Sequence, residues 1–297
     1  MTLVDLLVEP WTYDFMARAF VTTTIAAVVA ALLSCWLVLV GWSLMGDAVS
    51  HAVLPGVVLA YILGAPFALG ALVFGGLAVV LIGAVRDTGR VKEDAAIGIV
   101  FTTLFALGLV LVSVTPSQTD LSHIIFGNVL GISSSELLQV AVLAVVGSAV
   151  LLVKRRDLVL FAFDPTHAHA IGLSTRRLSA LLLGVLALTA VVTLQVVGVI
   201  LVVAMLIIPG ATASLLTQRF GRMLVLAPTI SALSSIVGIY LSYWLDAASG
   251  GMVVLVQGAV FAVVLLVSPR RGRLRRWRLR RVGQPRGGPL GGLADRR

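Results

Sequence analysis

Two ionisable residues, Asp47 and His51, lie four positions apart between two long apolar runs. On a helix this spacing places a carboxylate and an imidazole on one face, one turn apart. An ionisable group at membrane depth is costly, so such residues are candidates for function by default. Carboxylate oxygen and imidazole nitrogen together suit a divalent transition metal such as manganese, iron or zinc. The alternative is a hydrogen bond between the two side chains that supports helix packing and binds no metal.

The composition indicates an integral membrane protein. The chain has 297 residues, of which 59% are hydrophobic and 12% are charged, and its mean hydropathy is +1.09. Soluble domains contain about 25% charged residues. Apolar runs long enough for membrane spans fill most of the chain, which leaves no room for a sizeable soluble domain. We therefore expect one membrane domain over residues 17–268, after an external N-terminal segment over residues 1–16.

The basic character of the chain is confined to its C-terminal tail, residues 269–297. This tail holds 11 of the 22 Lys and Arg residues and one acid, Asp295, so its net charge of +10 leaves about −1 for the rest of the chain. A basic segment next to a membrane span is typical of a cytoplasmic anchor to anionic lipid headgroups. We therefore expect membrane lipid as a partner and no nucleic acid, and we expect the tail to be disordered.

Two further features concern the N-terminal part of the chain. Residues 1–16 contain three acids and no Lys or Arg, so they lack the basic region of a cleavable signal, and the first helix is expected to direct insertion. The single cysteine, Cys35, excludes an intramolecular disulfide and is interpreted as a small buried hydrophobe.

The hydrophobic pattern predicts an all-α polytopic protein with about nine transmembrane helices (8–9). The expected spans are 17–40, 46–64, 66–85, 95–114, 134–153, 177–194, 196–217, 223–245 and 250–268. Connecting segments alternate between basic ones and ones that carry acids with essentially no bases. This alternation predicts an N-terminus outside and a C-terminus in the cytoplasm.

Three polar or helix-breaking positions within the spans are candidates for a transport pathway or for structural roles. Pro55 interrupts the second span and Pro209 lies in the seventh. Interrupted helices near the midplane are a recurrent transporter device, although each proline could also produce a simple kink. Gln195 is the one strongly polar group in its apolar run, so it is expected to bond across helices or to face the pathway.

A short helix is predicted in the longest basic connection, between Lys154 and Arg177. Asp164 is a suitable N-cap, Pro165 suits the first helical position and Gly172 is a suitable stop signal. The result would be about two helical turns on the cytoplasmic side. Such a helix suits docking to a partner, and a simple connector is the alternative.

Motifs for self-contained enzymatic activity are absent from the sequence. There is no G-x-x-x-x-G-K-[ST] phosphate loop, H-E-x-x-H, C-x-x-C or G-x-S-x-G. The hydroxyls near the Asp47–His51 pair, Ser43 and Ser50, are expected to bond to their own helix backbone. We therefore expect no catalytic residues, no bound cofactor and no ATPase activity of the chain itself.

Several segments resemble the membrane permeases of manganese, zinc and iron ATP-binding-cassette (ABC) importers. The central one is Gly46–Val57, with the pattern GDA-hydrophobic-SHAVLPG. Four more follow in the family's order: Arg90–Gly98, Ile125–Leu130, Asp164–Gly172 (with Ala168 and Ala170) and Leu194–Ala213. Together they cover about residues 17–268.

The resemblance implies the type II ABC importer permease fold in a multi-pass protein of the bacterial cell membrane. It implies a second permease copy, as a homodimer or a paired permease, two cytoplasmic ABC ATPase subunits and an extracytoplasmic metal-binding protein. Asp47 and His51 would line the ion path. Asp164, Pro165, Ala168, Ala170 and Gly172 would belong to the coupling helix that contacts the ATPase.

The transported ion and some loop residues are less closely defined. The Val53–Gly56 variant of the motif favours Mn²⁺, with zinc or iron as alternatives, because ligand type alone does not decide selectivity. Asn128 could cap a re-entrant turn or take part in transport, and Asp120 and His123 could receive metal or be solvated. A secondary metal transporter, a siderophore or cobalamin permease and an intramembrane enzyme are the rival functions.

Overall fold

The computed structural model describes residues 9–87, 89, 91–115 and 129–268. Two short 3-10 turns occur, at Glu9–Thr12 and Val129–Gly131. The α-helices are α1 (Asp14–Val40), α2 (Ser43–Ala52), α3 (Leu54–Leu63), α4 (Phe67–Asp87), α5 (Glu93–Val114), α6 (Ser134–Val153), α7 (Arg155–Phe163), α8 (Pro165–Ala170), α9 (Thr175–Val197), α10 (Val199–Leu216), α11 (Phe220–Leu245) and α12 (Ser249–Val267).

The helices confirm the predicted all-α membrane fold. Within the described residues, seven helical stretches are long and apolar enough to cross a membrane, and α2 and α3 together form one of them. Two shorter apolar stretches, Leu69–Val85 and Leu201–Leu216, lie in α4 and α10. These nine regions coincide with the nine predicted spans to within a few residues. The number that crosses the bilayer and the orientation of the termini stay predictions.

Helix α1 forms the centre of the bundle. It packs against α6, α9, α10 and α11, and most of its apolar residues are buried, including Leu33, Trp36 and Leu37. A helix that is hydrophobic all round is expected in such a position. The buried fraction of α12, 17% over its membrane-length window, is far below the 67% of α1, so α12 lies at the periphery.

A second group of helices carries the Asp47–His51 segment. Helix α2 packs against α5 and α10, while α3 packs against α4 and α5. The α3–α4 contact is unusually close, because a Cβ added at Gly56 would lie 2.1 Å from the carbonyl oxygen of Gly70. Small residues at a contact let two membrane helices approach to this distance.

The predicted short helix between the fifth and sixth spans is present as α8. Asp164 Oδ1 accepts a hydrogen bond from the backbone N–H of His167 at 2.9 Å, and Gly172 has a positive φ of 88°. Both ends therefore follow the expected capping chemistry. A separate helix, α7, precedes it and buries Leu158 and Phe161 against the bundle.

Candidate metal-path site

Asp47 and His51 are in direct contact on α2. His51 Nδ1 lies 3.2 Å from Asp47 Oδ1 and 3.1 Å from the main-chain oxygen of Asp47. Their side chains are 34% and 17% exposed, respectively, although the residues around them on α2, Ala48, Val49 and Ser50, are buried. The pair thus forms a polar patch on the surface of the single chain.

The contact between the two side chains fits both interpretations of the sequence, a metal site and a hydrogen bond that supports helix packing. A hydrogen bond of this kind would help to hold α2, and an Asp carboxylate that orients a histidine is also a common arrangement at metal sites. The polar contacts recorded for His51 within the described chain all use Nδ1. Nε2 points away from that bond by the geometry of the imidazole ring, and it is the nitrogen through which the ring could meet a metal.

Two phenylalanines of α5 flank the imidazole. The ring centroids of Phe101 and Phe105 lie 5.5 and 5.2 Å from that of His51, with interplanar angles of 70° and 77°. Because the two phenylalanines are four residues apart, they lie on one face of α5. Neither phenylalanine was expected at this site from the sequence. Their four-residue spacing was visible, but nothing in the sequence pairs them with His51.

The nearby hydroxyl of Ser50 is engaged by its own helix. Ser50 Oγ donates to the main-chain oxygen of Asp47 at 2.9 Å and the residue is buried. This is the local bond expected of a mid-helix serine. Ser50 is therefore not arranged as a nucleophile activated by His51.

Pro55 lies just beyond the point where α2 passes into α3. The helical path continues across Val53, with Val53 N–H bonded to Val49 O at 3.2 Å and Val57 N–H bonded to Val53 O at 3.1 Å. The proline has no N–H, so it cannot supply the donor that a regular helix would offer to the carbonyl of His51. The interruption expected at Pro55 is thus a local one, and the carbonyl it affects belongs to the candidate ligand itself.

Pro209 lies inside the continuous helix α10, and a side chain from α1 serves the backbone beside it. Ser34 Oγ accepts from the N–H of Gly210 at 3.0 Å and lies 3.2 Å from the carbonyl oxygen of Ile207, to which it can donate. A neighbouring helix thus supplies hydrogen bonds to the backbone on both sides of this proline, as is common in membrane proteins. This geometry favours the structural role among the alternatives for Pro209.

The remaining polar candidates are less closely tied to the pair. Gln195 lies in α9 with a half-buried side chain, and its Oε1 is buried without a hydrogen-bond partner among the described residues. Asn128, Asp120 and His123 lie outside the described residues, so their predicted roles stay predictions.

Helix α8 presents most of its surface outward. Of the predicted coupling residues, Ala168 is buried, whereas Asp164, Pro165, Ala170 and Gly172 are exposed. The neighbouring His167 and His169 are exposed as well. The helix packs on α7 and α9 and leaves its outer face available for a partner.

The metal donors available in one chain are few. Across residues 9–87, 89, 91–115 and 129–268, no group of three or more His, Cys, Asp or Glu side chains is placed to hold a metal ion. The described part of one chain therefore offers the Asp47–His51 pair as two side-chain donors. A zinc site commonly uses four ligands and a manganese site six. The pair on its own is suited to transient contact with an ion.

Known proteins resemble this chain over nearly its whole length. It is 51% identical over 280 residues to the manganese transport system membrane protein MntB of Synechocystis sp., covering 94% of this chain and 92% of that relative. It is 46% identical over 286 residues to the chelated iron transport system membrane protein YfeC of Yersinia pestis, covering 95% and 97% of the two chains.

A solved structure and a family pattern agree with these relatives. The structure of PsaBC from Streptococcus pneumoniae in complex with Fab matches with a TM-score of 0.87 and 35% identity, covering 93% of this chain and all of that chain. The pattern of the ABC 3 transport family matches residues 12–268. The resemblance carried by the sequence motifs is thereby confirmed, and the chain belongs to the ABC 3 transport family.

Proposed function

We propose that this protein is the membrane permease of an ATP-driven importer that moves a divalent transition metal, with Mn²⁺ as the preferred ion, into the cytoplasm. The observation that carries the proposal is the Asp47–His51 pair, a partly exposed oxygen and nitrogen donor set on an otherwise apolar helix. Such a pair in a membrane segment marks an ion path. Family membership supports the transport role.

The choice of Mn²⁺ rests on two lines of support. The Val53–Gly56 variant of the motif favours it, and the relative MntB is named for manganese transport. Another relative, YfeC, is named for chelated iron transport, so iron is the main competitor, and zinc is a further one. One carboxylate and one imidazole are acceptable to all three ions, which makes the comparison an experimental one.

The proposed assembly follows the ABC importer pattern. Two permease chains would form the path, two cytoplasmic ATPase subunits would supply the energy, and an extracytoplasmic metal-binding protein would deliver the ion at the bacterial cell membrane. Helix α8, with its outward face and capped ends, is the proposed contact with the ATPase. In this mechanism, the ion meets Asp47 and His51 during the switch between outward- and inward-open states.

Uptake measurements test the site. Cells carrying wild-type protein, Asp47→Asn, His51→Gln or the control Asp14→Asn would be assayed for accumulation of Mn²⁺, Fe²⁺ and Zn²⁺. Asp14 is an exposed carboxylate in the first turn of α1. We expect each site variant to lower uptake by at least about tenfold, on the scale of losses at metal sites. The control should retain wild-type uptake at equal protein amounts in the membrane.

Three outcomes would separate the parts of this proposal. Wild-type uptake of every metal by both site variants would reject the path residues. Full uptake after ATP hydrolysis by the partner has been blocked would instead favour a secondary transporter. A preference for Fe²⁺ or Zn²⁺ over Mn²⁺ in the wild type would change the substrate and leave the path in place.

A further inference from the structure

A cavity of about 560 Å³ lies between α7 and the start of α11, away from the Asp47–His51 pair. Its lining consists of Arg155, Arg156, Val159, Leu160, Phe163 and Phe220. The first five recur along α7 at spacings that keep them on one side of the helix. Two arginines therefore stand at one end of this side, and three apolar residues continue it.

The charge around the cavity is positive. Arg155 and Arg156 are exposed, and no acid of the described chain is among the lining residues. The one acid of α7, Asp157, is paired with Lys154 at 3.4 Å. Arg219 and Arg222 flank Phe220 on α11 and are also exposed. An anionic ligand is thus the matching occupant for the arginine end.

The apolar wall of the cavity is held in place by the bundle. The ring of Phe220 packs edge-on against the buried Trp36 of α1, with centroids 5.0 Å apart. Phe163 closes the other end and is 64% exposed. This exposed ring, at the opposite end from the two arginines, suits a ligand that carries an apolar part as well as a charge.

The cavity lies where two membrane-length helices end. Helix α6 finishes at Val153, two residues before Arg155, and α11 begins with Phe220 itself. Both helices are long and apolar enough to cross a bilayer. In a chain that spans the bilayer with these two helices, the arginines at their ends would lie near the lipid headgroups.

We propose that this cavity binds an anionic phospholipid, whose phosphate pairs with Arg155 and Arg156 and whose glycerol and upper acyl chain lie on Val159, Leu160, Phe163 and Phe220. Guanidinium groups pair with phosphate in a bidentate geometry, and each basic residue near an anionic membrane surface strengthens binding. The site lies on α7, which directly precedes the proposed ATPase contact α8, and it does not depend on the proposed metal path.

The test measures binding of palmitoyl-oleoyl phosphatidylglycerol to the purified full chain by native mass spectrometry. Phosphatidylethanolamine with the same acyl chains is the zwitterionic comparison. We expect Arg155→Gln and Arg156→Gln each to weaken phosphatidylglycerol binding by about fivefold. The control variants are Arg176→Gln and Arg177→Gln, which alter an adjacent, exposed arginine pair on α9 and should leave binding unchanged.

A second variant and a second ligand distinguish the sources of the phosphate. Phe163→Ala keeps both arginines and should weaken phosphatidylglycerol binding, since it removes part of the apolar wall. Thermal unfolding of the purified full chain supplies the second measurement. Phosphatidylglycerol should raise its melting temperature, and inorganic phosphate should not. An equal effect of inorganic phosphate, or unchanged lipid binding in Phe163→Ala, would overturn the lipid assignment.

Three other results would also overturn the proposal. These are equal binding of the two lipids, equal losses in the cavity and control variants, and loss of a bound ATPase from Arg155→Gln and Arg156→Gln with lipid binding intact. The last result would place the cavity in the protein interface.

Discussion

The imidazole of His51 is held in place from two sides, and a fixed orientation would strengthen the binding of a metal ion at the proposed site. Asp47 engages Nδ1, while Phe101 and Phe105 contact the ring edge-on. A ring held in one orientation presents its other nitrogen in a constant direction. We infer that the two phenylalanines are positioning residues for the proposed ligand.

Replacing Phe101 and Phe105 by leucine tests this role. Each aromatic contact contributes about 0.5–1.5 kcal/mol, so we expect the loss of both in the double variant to weaken Mn²⁺ binding by about fivefold or more and to leave the folded chain intact. Binding would be measured by equilibrium titration of the purified protein. Leu107→Ala on the exposed side of α5 is the control and should bind as the wild type does. Equal affinities in the two variants would remove the positioning role.

The contact between Gly56 and Gly70 places a strict limit on side-chain size. A Cβ at Gly56 would lie 2.1 Å from the carbonyl oxygen of Gly70 and 2.9 Å from Cβ of Phe74. The nearest obstacle is backbone, so α3 and α4 must separate to admit a methyl group. We expect Gly56→Ala to cost at least about 1–3 kcal/mol and to lower the melting temperature.

The matched control is Gly76→Ala on α4. A Cβ there meets no atom within 4 Å, and alanine has the higher helix propensity. This variant should keep or slightly raise the melting temperature measured in detergent. A Gly56→Ala protein as stable as Gly76→Ala would show that α3 and α4 do not pack as closely as described.

At the scale of elements, α8 depends on its two ends because it has only six residues. Asp164 caps the first turn, and Gly172 takes the left-handed conformation that follows the last turn. Helices of this length are not stable from propensity alone. Its caps and its contacts with α7 and α9 therefore determine whether it is formed.

Asp164→Ala should remove the N-cap at a cost of about 1 kcal/mol. If α8 is the ATPase contact, we expect less ATPase to co-purify with this variant, and Asp164→Ser should restore it because serine also caps. Asp157→Ala on α7 is the control, since Asp157 makes only a surface pair with Lys154. Undiminished co-purification with Asp164→Ala would argue against α8 as the contact.

The helices could be predicted from the sequence where local sequence features determine them. Apolar runs located the helices, and the cap residues Asp164 and Gly172 located α8. The contact of Ser34 with Gly210 and the approach of Gly56 to Gly70 each join residues of different helices. A single sequence does not show which small residues meet, so these contacts and the phenylalanines beside His51 could not be predicted.

At the scale of the whole molecule, the proposed metal site at Asp47 and His51 would be incomplete in one chain, and the pair is partly exposed. In the described part of the chain it is not joined by a third ligand. A metal coordinated by side chains needs about four to six donors, so two chains that face each other would supply four of them. The proposed second permease copy would then complete the site as well as enclose the path.

Metal stoichiometry tests this arrangement directly. Equilibrium dialysis of the purified permease–ATPase complex against Mn²⁺ should give about one ion for every two permease chains, because each chain contributes half of the donors. His51→Gln should abolish this binding, and Asp14→Asn should retain it. About one ion per chain would mean that each copy binds metal by itself, and the paired site would be wrong even if transport requires two copies. An ion bound by one chain alone would also be harder to release, because it would stay bound when the two permease chains separate.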